Sequence, residues 1–477
     1  LCSFFFLLCA FVSREAMMNL HLILLAAGGL QAVAGRWLDY EAAGGQAERS
    51  DLAVQNTLLL NQLFDRLKPQ DTIYISAKTF WLAGGVRLVN ARDFSLQLDG
   101  TLKFRAGRSG WPEQHGDVCN LNPLQPHRNS KCVQEAFFIA NVSNMTLTSD
   151  SPGGGKLDGN GKSWWGYVQY ALHGENRPRL LSIYNATDIL VEKWHFINSA
   201  YWTFTALDVA RLEVRFCSVS ARVDQAPYHD LGNLDAFNTD GFDVSGKDIY
   251  IHHSEVWNQD DCFTIQPRDR RGINSKCTEN VLIEHVNASG LGLTIGAVMP
   301  TLFHNCIRNV TFRKARMFHT FKGIYMKSQN SPEPKASGEI SNILYEDIYM
   351  ERPTQVAIWI GPAQEADSYK ACSLLWPVVP FVSCPPPSIA VLWANITLRR
   401  VHVHNPKQSP GLIYGNPKRP MENITFENVV VTNPGLDPWG EAFYKCEGVK
   451  GLALNGTNPV PPCFGTPSAD PSNLLIA

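Results

Sequence analysis

The feature that most constrains this chain is a strand-like unit that recurs from about residue 135 onward. Each copy has a polar residue, often Asn, followed by alternating apolar and polar residues. Alternation of period two is typical of a β-strand with one buried face. The first apolar residues of eight copies are Ile189, Leu212, Ile249, Val281, Val310, Ile343, Ile396 and Ile424.

The spacing of these copies indicates how the strands are arranged. They are separated by 23, 37, 32, 29, 33, 53 and 28 residues. One repeated strand with loops of variable length predicts an all-β solenoid, whose coils stack at roughly 4.8 Å. An antiparallel sandwich fits less well, because similar single strands recur instead of strand pairs joined by two-residue hairpin turns.

A solenoid must cover the ends of its core, and the flanking sequence offers the means. Residues 51–67 predict an amphipathic capping helix, with Asp51 as its N-cap and leucines at helical spacing at Leu52, Leu59, Leu63 and Leu67. Residues 71–105 predict the first strands, and residues 362–388 an inserted loop that explains the longest interval. We therefore expect one domain over 35–477, with its core at about 50–435 and an irregular tail after it.

The N-terminal region predicts a leader over residues 1–34 and a secreted protein. An apolar run from Leu20 to Leu30 ends at Ala32-Val33-Ala34, a cleavage pattern, and is short for a membrane span of about 20 residues. Ten cysteines follow, and the economical disulfides join near neighbours: Cys119–Cys132, Cys262–Cys277, Cys372–Cys384 and Cys446–Cys463. Eight candidate glycosylation sequons begin at Asn141, Asn144, Asn185, Asn287, Asn309, Asn395, Asn423 and Asn455.

Composition excludes several classes of protein. Lys and Arg number 42 against 44 Asp and Glu, a net charge of −2, which argues against a nucleic-acid partner. Hydrophobic residues make up 44% of the chain and charged residues only 18%, so wholesale disorder is excluded. No later segment is long and apolar enough to cross a bilayer, and we expect a monomer without membrane attachment after cleavage.

Two acidic segments carry the candidate chemistry. One reads Asn238-Thr239-Asp240-Gly241 and the other Gln259-Asp260-Asp261-Cys262, so that Asp240 and Asp260 are 20 residues apart, about one coil. Asp260 and Asp261 can both face the same side only at a bend. Clustered carboxylates raise at least one pKa, which suits acid/base cleavage of a glycosidic bond. The alternative is that both segments are ordinary turns, in which Asp and Asn are common.

The order of four motifs resembles glycoside hydrolase family 28, the polygalacturonase family. These are Asn-Thr-Asp-Gly from Asn238, Gln-Asp-Asp-Cys from Gln259, Gly-Leu-Gly from Gly290, and Gly-Ile-Tyr-Met-Lys from Gly323. The similarity covers roughly 50–435. It implies a right-handed parallel β-helix, the pectin-lyase-like solenoid, and inverting hydrolysis of a pectin-like polysaccharide with no cofactor and no metal.

The resemblance also implies roles for single residues. Asp260 would be the general acid, and Asp240 and Asp261 would position and deprotonate the attacking water, with roughly 6.5–9.5 Å left between acid and base. Asn238 and Gln259 would bind the sugar. Residues that could line further subsites, or equally be buried core, are Trp164, Trp165, Tyr167 and Trp202.

Two positions depart from the family pattern. The central His of Gly-His-Gly is Leu291 here, and the Arg of Arg-Ile-Lys is Tyr325, although Lys327 remains. Lys327 can attract a uronate only as a point charge, without the bidentate fork of Arg, and Tyr325 could offer a face to a sugar ring. His252, His253 and His285 are candidates to replace the missing imidazole, with ordinary strand surface as the alternative.

These departures leave other functions open. The substrate could be another glycan, such as rhamnogalacturonan, or the chain could be a catalytically weak glycan-binding β-helix. A polysaccharide lyase is a third alternative, but the sequence contains no calcium site with an Arg base.

Overall fold

Parallel strands make up almost all of the regular structure. The computed structural model describes residues 35–115, 131–166, 176–223, 235–268, 276–331, 333–364 and 372–465. The predicted leader, Cys119 and Tyr167 lie outside these ranges. From Trp37 onward the chain forms one compact unit.

The first half of the described chain contains one α-helix, α1 (Ala53–Phe64), between the first two strands. Its strands are β1 (Trp37–Asp39), β2 (Thr72–Ile75), β3 (Thr79–Leu82), β4 (Val86–Val89), β5 (Arg92–Leu98), β6 (Thr101–Phe104), β7 (Glu113–His115), β8 (Lys131–Val133), β9 (Phe137–Thr148), β10 (Gly155–Asp158), β11 (Leu181–Glu192), β12 (Trp194–Ile197), β13 (Phe204–Arg215) and β14 (Ser218–Ala221).

The second half contains no further α-helix among the residues described. Its strands are β15 (Phe242–His252), β16 (Glu255–Asn258), β17 (Phe263–Ile265), β18 (Thr278–Ser289), β19 (Leu293–Val298), β20 (Asn305–Phe318), β21 (Ile324–Ser328), β22 (Gly338–Glu351), β23 (Ile358–Pro362), β24 (Val391–His404), β25 (Gly411–Tyr414), β26 (Met421–Thr432), β27 (Tyr444–Glu447), β28 (Val449–Leu454) and β29 (Phe464–Gly465).

The strands pair in three parallel ladders that run along the solenoid. The first ladder holds the long strands, from β9 and β11 through β15, β18 and β20 to β28. The second joins β3, β6, β10, β12, β14 and β16. The third begins with β4 and the first residues of β9, β11, β13 and β15, and continues through β17, β19, β21, β23, β25 and β27. One antiparallel pair, β7 with β8, stands apart from these ladders.

The repeat found in the sequence matches the observed register at every copy. Ile189 pairs with Leu212, and the pairing continues through each predicted residue to Ile396 with Ile424. All eight side chains are buried, none more than 3% exposed. The solenoid and its stacked apolar core are therefore confirmed.

Residues in the left-handed region of backbone conformation turn the corners between strands. In β20 these are Asn309 and Lys314, each with φ between 53° and 56°. Asn tolerates this conformation better than most residues and often occupies it. At the Asn309 corner, exposed asparagines donate from Nδ2 to the Oδ1 of the asparagine one coil back, over 2.8–3.5 Å. This asparagine ladder contains Asn280, Asn309, Asn342, Asn395 and Asn423.

The capping helix is confirmed over a shorter range than predicted, because a 3₁₀ turn at 50–52 precedes α1. Leu60 and Phe64 pack into the core, and the ring of Phe64 stacks on Phe137 at 5.7 Å. Asp51 is not the N-cap: Arg49 binds its carboxylate through Nε at 2.9 Å and Nη2 at 2.6 Å.

The C-terminal region is more regular than the sequence indicated. Strands β27, β28 and β29 continue the ladders beyond residue 435, and the described coils extend to residue 465. The predicted insertion is present, and its described residues beyond β23, 363–364 and 372–388, contain no named strand. No helix in the part of the chain that the structure covers is long and apolar enough to span a bilayer.

Two of the predicted disulfides form, Cys372–Cys384 and Cys446–Cys463. Cys132 is also disulfide-bonded, but its predicted partner Cys119 lies outside the described residues. The predicted Cys262–Cys277 bond is wrong. Cys277 bonds instead to Cys306, one coil later, and Cys262 is a buried free thiol like Cys217.

Candidate active site

The three predicted catalytic carboxylates converge at one corner of the solenoid. One oxygen from each of Asp240, Asp260 and Asp261 lies within 4.8 Å of the others. Asp240 and Asp261 each lie two residues before a strand of the third ladder, and those strands, β15 and β17, are adjacent. Asp260 and Asp261 occupy a bend between β16 and β17, which allows consecutive side chains to approach the same site.

The position two residues before the strand recurs in each coil of the third ladder. The side chains at these positions form a row, which we call the site column. It consists of the residues two positions before the paired strand residues Phe137, Leu181, Phe204, Phe242, Phe263, Leu293, Ile324 and Ile358. Its members are Glu135, Arg179, Trp202, Asp240, Asp261, Leu291, Lys322 and Val356. Adjacent members are roughly 4.8 Å apart along the solenoid.

Asn258 joins the two acidic segments. Its Nδ2 donates to the backbone oxygens of Thr239 and Asp261, both at 2.9 Å, and it is 1% exposed. Gly290 packs directly against it, and a Cβ at that position would overlap Asn258 Oδ1. The first glycine of Gly-Leu-Gly is therefore required by close packing beneath the carboxylates. The sequence analysis missed Asn258, which carries no signal apart from its place one residue before Gln259.

Two donors from later coils bind the carboxylate of Asp261. Thr294 Oγ1 donates to Oδ1 at 2.6 Å, and Lys327 Nζ binds Oδ2 at 2.8 Å. Both contacts are buried, since the Asp261 side chain is 3% exposed and that of Lys327 is 14% exposed. Burial acts to lower the pKa of Lys327, but Asp261, Tyr325 and Asp260 together outweigh it and raise that pKa. Thr294 was not predicted, because its contact depends on the register between coils.

Asp240 and Asp260 have environments that favour the protonated form. Burial, and then the charge of Asp260, raise the pKa of Asp240 well above its ordinary value. The Oδ1 atom of Asp240 is fully enclosed without a hydrogen-bond partner among the described residues. Burial and then Asp261 raise the pKa of Asp260. Backbone amides of Asn238 and Asp261 donate to Asp260 at 2.9 and 2.8 Å and fix its orientation.

The predicted sugar-binding residues are placed differently from one another. Asn238 lies beside Asp260 and is half-buried, and its side-chain amide has no partner among the described residues, so it remains available to a ligand. Gln259 is 3% exposed, and its Oε1 accepts from the backbone amide of Val223 at 3.2 Å. Gln259 thus supports a neighbouring segment of the chain and does not present its amide to the surface.

Tyr325 does not offer the open ring face that its position predicted. It is 1% exposed and packs with Trp359, Leu412 and the disulfide loop at Cys372. Its hydroxyl accepts from the backbone amide of Gln364 at 3.0 Å. The ammonium groups of two lysines, Lys322 and Lys327, each lie 4.5 Å from the ring centroid. The ring contacts cations where a sugar-stacking surface was expected.

The histidine candidates lie on the first ladder, and the tryptophan candidates are buried, including Trp202 in the site column. His252 and His253 bond to each other through Nδ1 atoms at 2.7 Å, and His253 stacks on His285 at 4.8 Å, all at or beside first-ladder strands. They form a cluster of their own and do not replace the imidazole at Leu291. Trp164, Trp165 and Trp202 are at most 9% exposed and belong to the interior, whereas Tyr167 lies outside the described residues.

The carboxylate cluster is also the one group of potential metal ligands that the described residues bring close together. The Lys327 ammonium already occupies Oδ2 of Asp261, and its charge opposes a second cation there. The expectation that no metal is needed stays a prediction. Chemically, the site pairs one carboxylate that is fixed by an ammonium and a hydroxyl with two carboxyl groups whose pKa is raised, an arrangement that suits an acid and a base.

Comparison with known proteins agrees with this geometry. The sequence profile of Glycosyl hydrolases family 28 matches residues 89–456. A probable endopolygalacturonase C from Aspergillus aculeatus is 28% identical over 227 residues, 46% of this chain and 53% of that protein. A probable rhamnogalacturonase B from Aspergillus fumigatus is 24% identical over 395 residues, 81% of this chain and 60% of that protein. The chain thus spans 53–60% of the length of these curated relatives.

Solved structures share the architecture. The family 28 exopolygalacturonase of Yersinia enterocolitica aligns with a TM-score of 0.63 at 14% identity, covering 91% of this chain and 77% of that one. An exopolygalacturonase from Thermotoga maritima aligns with a TM-score of 0.60 at 15% identity, covering 89% and 92%. The fold is therefore the predicted right-handed parallel β-helix with one short capping helix, and the chain belongs to glycosyl hydrolase family 28.

Proposed function

We propose that this protein is a glycosidase that hydrolyses backbone bonds of a pectin-like polysaccharide by polygalacturonase-type acid/base chemistry. The observation that carries the proposal is the convergence of three carboxylates in unlike environments. Thr294 and Lys327 bind the two oxygens of Asp261, whereas burial raises the pKa of Asp240 and Asp260. Separation of carboxylates into charged and protonated roles is the requirement for cleaving a glycosidic bond.

Asp260 is the general acid in this proposal. It is the most exposed of the three carboxylates, so its proton can reach the oxygen of the leaving sugar. Asp261 is the base, because the hydroxyl of Thr294 and the ammonium of Lys327 fix its carboxylate beside the position of the attacking water. Asp240, enclosed beside both, helps to hold that water and its raised pKa limits the total charge of the cluster.

The attacking water has a place between the carboxylates. Oxygens up to 4.8 Å apart can both accept from one water, since each such hydrogen bond spans about 2.7–2.8 Å. This separation is shorter than the roughly 6.5–9.5 Å between carboxyl groups expected of inverting enzymes. Family membership supports inversion, and the anomer released early in the reaction, followed by proton NMR, tests it: formation of the retained anomer would reject direct attack by water.

Purified protein should release reducing ends from de-esterified polygalacturonate, and Asp260→Asn should lower the rate by a factor of about 100 or more. The matched control is Asp248→Asn, the same change on an exposed corner outside the site, where the retained oxygen still accepts from Asn280. Reducing ends that persist unchanged in Asp260→Asn would reject the assignment of the acid. A product absorbing through a C4–C5 double bond would indicate a lyase.

A second candidate is hydrolysis of rhamnogalacturonan. It is favoured by Tyr325 in place of the family Arg and by the match to the probable rhamnogalacturonase B, which spans more of this chain than the polygalacturonase match does. Release of reducing ends from rhamnogalacturonan alone would select it. Binding of either glycan without any release would select the catalytically weak binding protein.

We further propose that the protein acts outside the cell as a monomer. The three described disulfides support an oxidising compartment, because such bonds are rare in reducing ones. Recovery of the mature protein from culture medium, with its mass measured in solution by light scattering, tests both statements.

A further inference from the structure

Lys322 is a buried cation that forms no direct ion pair with the residues the structure describes, although Asp261 and Asp260 attract it over a longer range. The residue is 2% exposed, and no carboxylate in the described ranges lies within ion-pair distance of its ammonium group. The structure also gives that nitrogen no hydrogen-bond acceptor among the described residues. Because a buried, unpaired ammonium is costly, lysines are rarely buried without a partner.

Aromatic rings hold this ammonium in place. It lies 4.5 Å from the ring centroid of Tyr325, 4.6 Å from that of Phe321 and 5.1 Å from that of Trp359. Cation–π contacts of this kind stabilise a cation without consuming its hydrogen-bonding capacity. The three N–H donors of Lys322 are therefore preserved for an acceptor that comes from outside the protein.

The position of Lys322 connects it to the catalytic carboxylates. It belongs to the site column, two members beyond Asp261 and therefore about 10 Å along the solenoid. Lys327 cannot take the same role, because its ammonium is bound to Asp261 at 2.8 Å. Both lysines contact the ring of Tyr325, the residue that replaces the family Arg. Of the two ammonium groups, that of Lys327 is paired with Asp261, and that of Lys322 has no ion-pair partner among the described residues.

We propose that Lys322 binds a carboxylate of the polysaccharide and thereby selects acidic over neutral or esterified chains. The uronate unit it binds lies over the coils that follow the catalytic carboxylates in the sequence. This inference rests on the proposed function. An anionic sugar supplies the direct ion pair that the described residues do not provide, and the Tyr325 ring supports the ammonium. Position 325 lacks the guanidinium of the family Arg, and the ammonium of Lys322, three residues earlier, supplies a positive charge in its place.

The test compares Lys322→Met with the wild type on de-esterified and on methyl-esterified polygalacturonate, two substrates that differ in charge. We expect KM for the de-esterified substrate to rise about tenfold or more, as for loss of one charged hydrogen bond, with kcat changed less than about threefold. KM for the esterified substrate should stay unchanged. Lys322→Arg should retain most of the preference, and Lys418→Met, at an exposed position, is the matched control.

Two results would overturn the inference. One is a Lys322→Met protein that keeps the wild-type KM on the de-esterified substrate, and the other is an equal loss on both substrates, which would indicate a merely structural role. Failure of the proposed function is distinguishable, because then the wild type itself would release no reducing ends from either substrate. Calorimetric binding of galacturonate oligomers to Asp260→Asn, with and without Lys322→Met, measures the contact independently of turnover and should show weakening of about tenfold.

Discussion

The site column contains a buried cation on each side of the catalytic carboxylates, and the two cations differ in whether a carboxylate pairs with them. We call these two sides the flanks of the column. On the N-terminal side of the carboxylates, Arg179 is bound to Glu135 at 2.9 Å, and its guanidinium lies over Trp202 at 4.7 Å. On the C-terminal side, Lys322 is similarly buried and similarly covered by rings, but no carboxylate of the described chain lies within ion-pair distance. The first arrangement fixes the fold, whereas the second leaves a charge for a ligand and reduces stability. Stability measurements on matched variants can therefore separate structural from functional cations.

The largest effect is expected for Lys327→Met, which leaves Asp261 buried without its counter-charge. We expect the free energy of unfolding to fall by about 3–5 kcal/mol. Turnover should fall by a factor of about 100 on every substrate, because the base loses its fixed position. Chemical denaturation and reducing-end release measure the two effects.

The double variant Lys327→Met with Asp261→Asn is the control for this pair. Removing both charges should recover most of the lost stability and none of the turnover. Independent, additive losses in the double variant would contradict a paired structural role for Lys327.

Arg179→Met tests the N-terminal flank. It leaves Glu135 unpaired, but this side chain is 21% exposed, so we expect a smaller loss of about 2–3 kcal/mol in the free energy of unfolding. The variant should retain the preference for de-esterified substrate that Lys322→Met loses. Equal stability changes in Arg179→Met and Lys322→Met, measured by urea denaturation, would remove the distinction between the flanks.

Lys322→Met should increase stability, on the order of 1–3 kcal/mol at pH 6. Burial, with Lys327, lowers the pKa of Lys322 to about 7. Between pH 7 and the unfolded pKa near 10.4 the unfolded chain holds one more proton than the folded one, so wild-type stability rises with pH. The advantage of the variant should therefore shrink from pH 7 toward pH 10. A constant advantage across this range would mean that Lys322 stays protonated when buried, so that its pKa is not lowered by folding.

The smallest stability effect is expected for Asp240→Asn, and its pH dependence is the reverse. Because the pKa of Asp240 is raised in the folded state, ionisation favours unfolding as pH rises above the unfolded value near 3.9. We expect a gain of about 1–2 kcal/mol at pH 7, the scale of one enclosed unpartnered group, which disappears below pH 4. Thermal unfolding at both pH values measures it, and a gain that persists at low pH would point to packing.

The sequence predicted the solenoid well because its signal is local. Ile343 and Ile396 are 53 residues apart, yet each begins a strand with the same alternation, and stacking of like side chains then sets the register. The convergence of Asp240 with Asp260 followed from their separation by one coil. Such features need only the strand pattern and the coil length.

The remaining features depend on which coil faces which, and pairing by nearness in sequence fails there. Cys277 bonds to Cys306 across 29 residues, one coil, and not to the nearer Cys262. In the same way, Lys327 reaches back two coils to Asp261. The burial of Tyr325 depends on the inserted disulfide loop, whose path the strand pattern does not encode.

The asparagine ladder sets a competition between two uses of the same amide nitrogen. Asn309, Asn395 and Asn423 begin sequons, yet each donates its Nδ2 to the neighbouring coil. In N-glycosylation, that same nitrogen forms the bond to the oligosaccharide. An oligosaccharide attached there would lie beside the next coil, only about 4.8 Å away, where the stacked coils leave little space for a large group. Asn287 is an exposed sequon residue outside the asparagine ladder, so it can carry an oligosaccharide without disturbing the stacked coils.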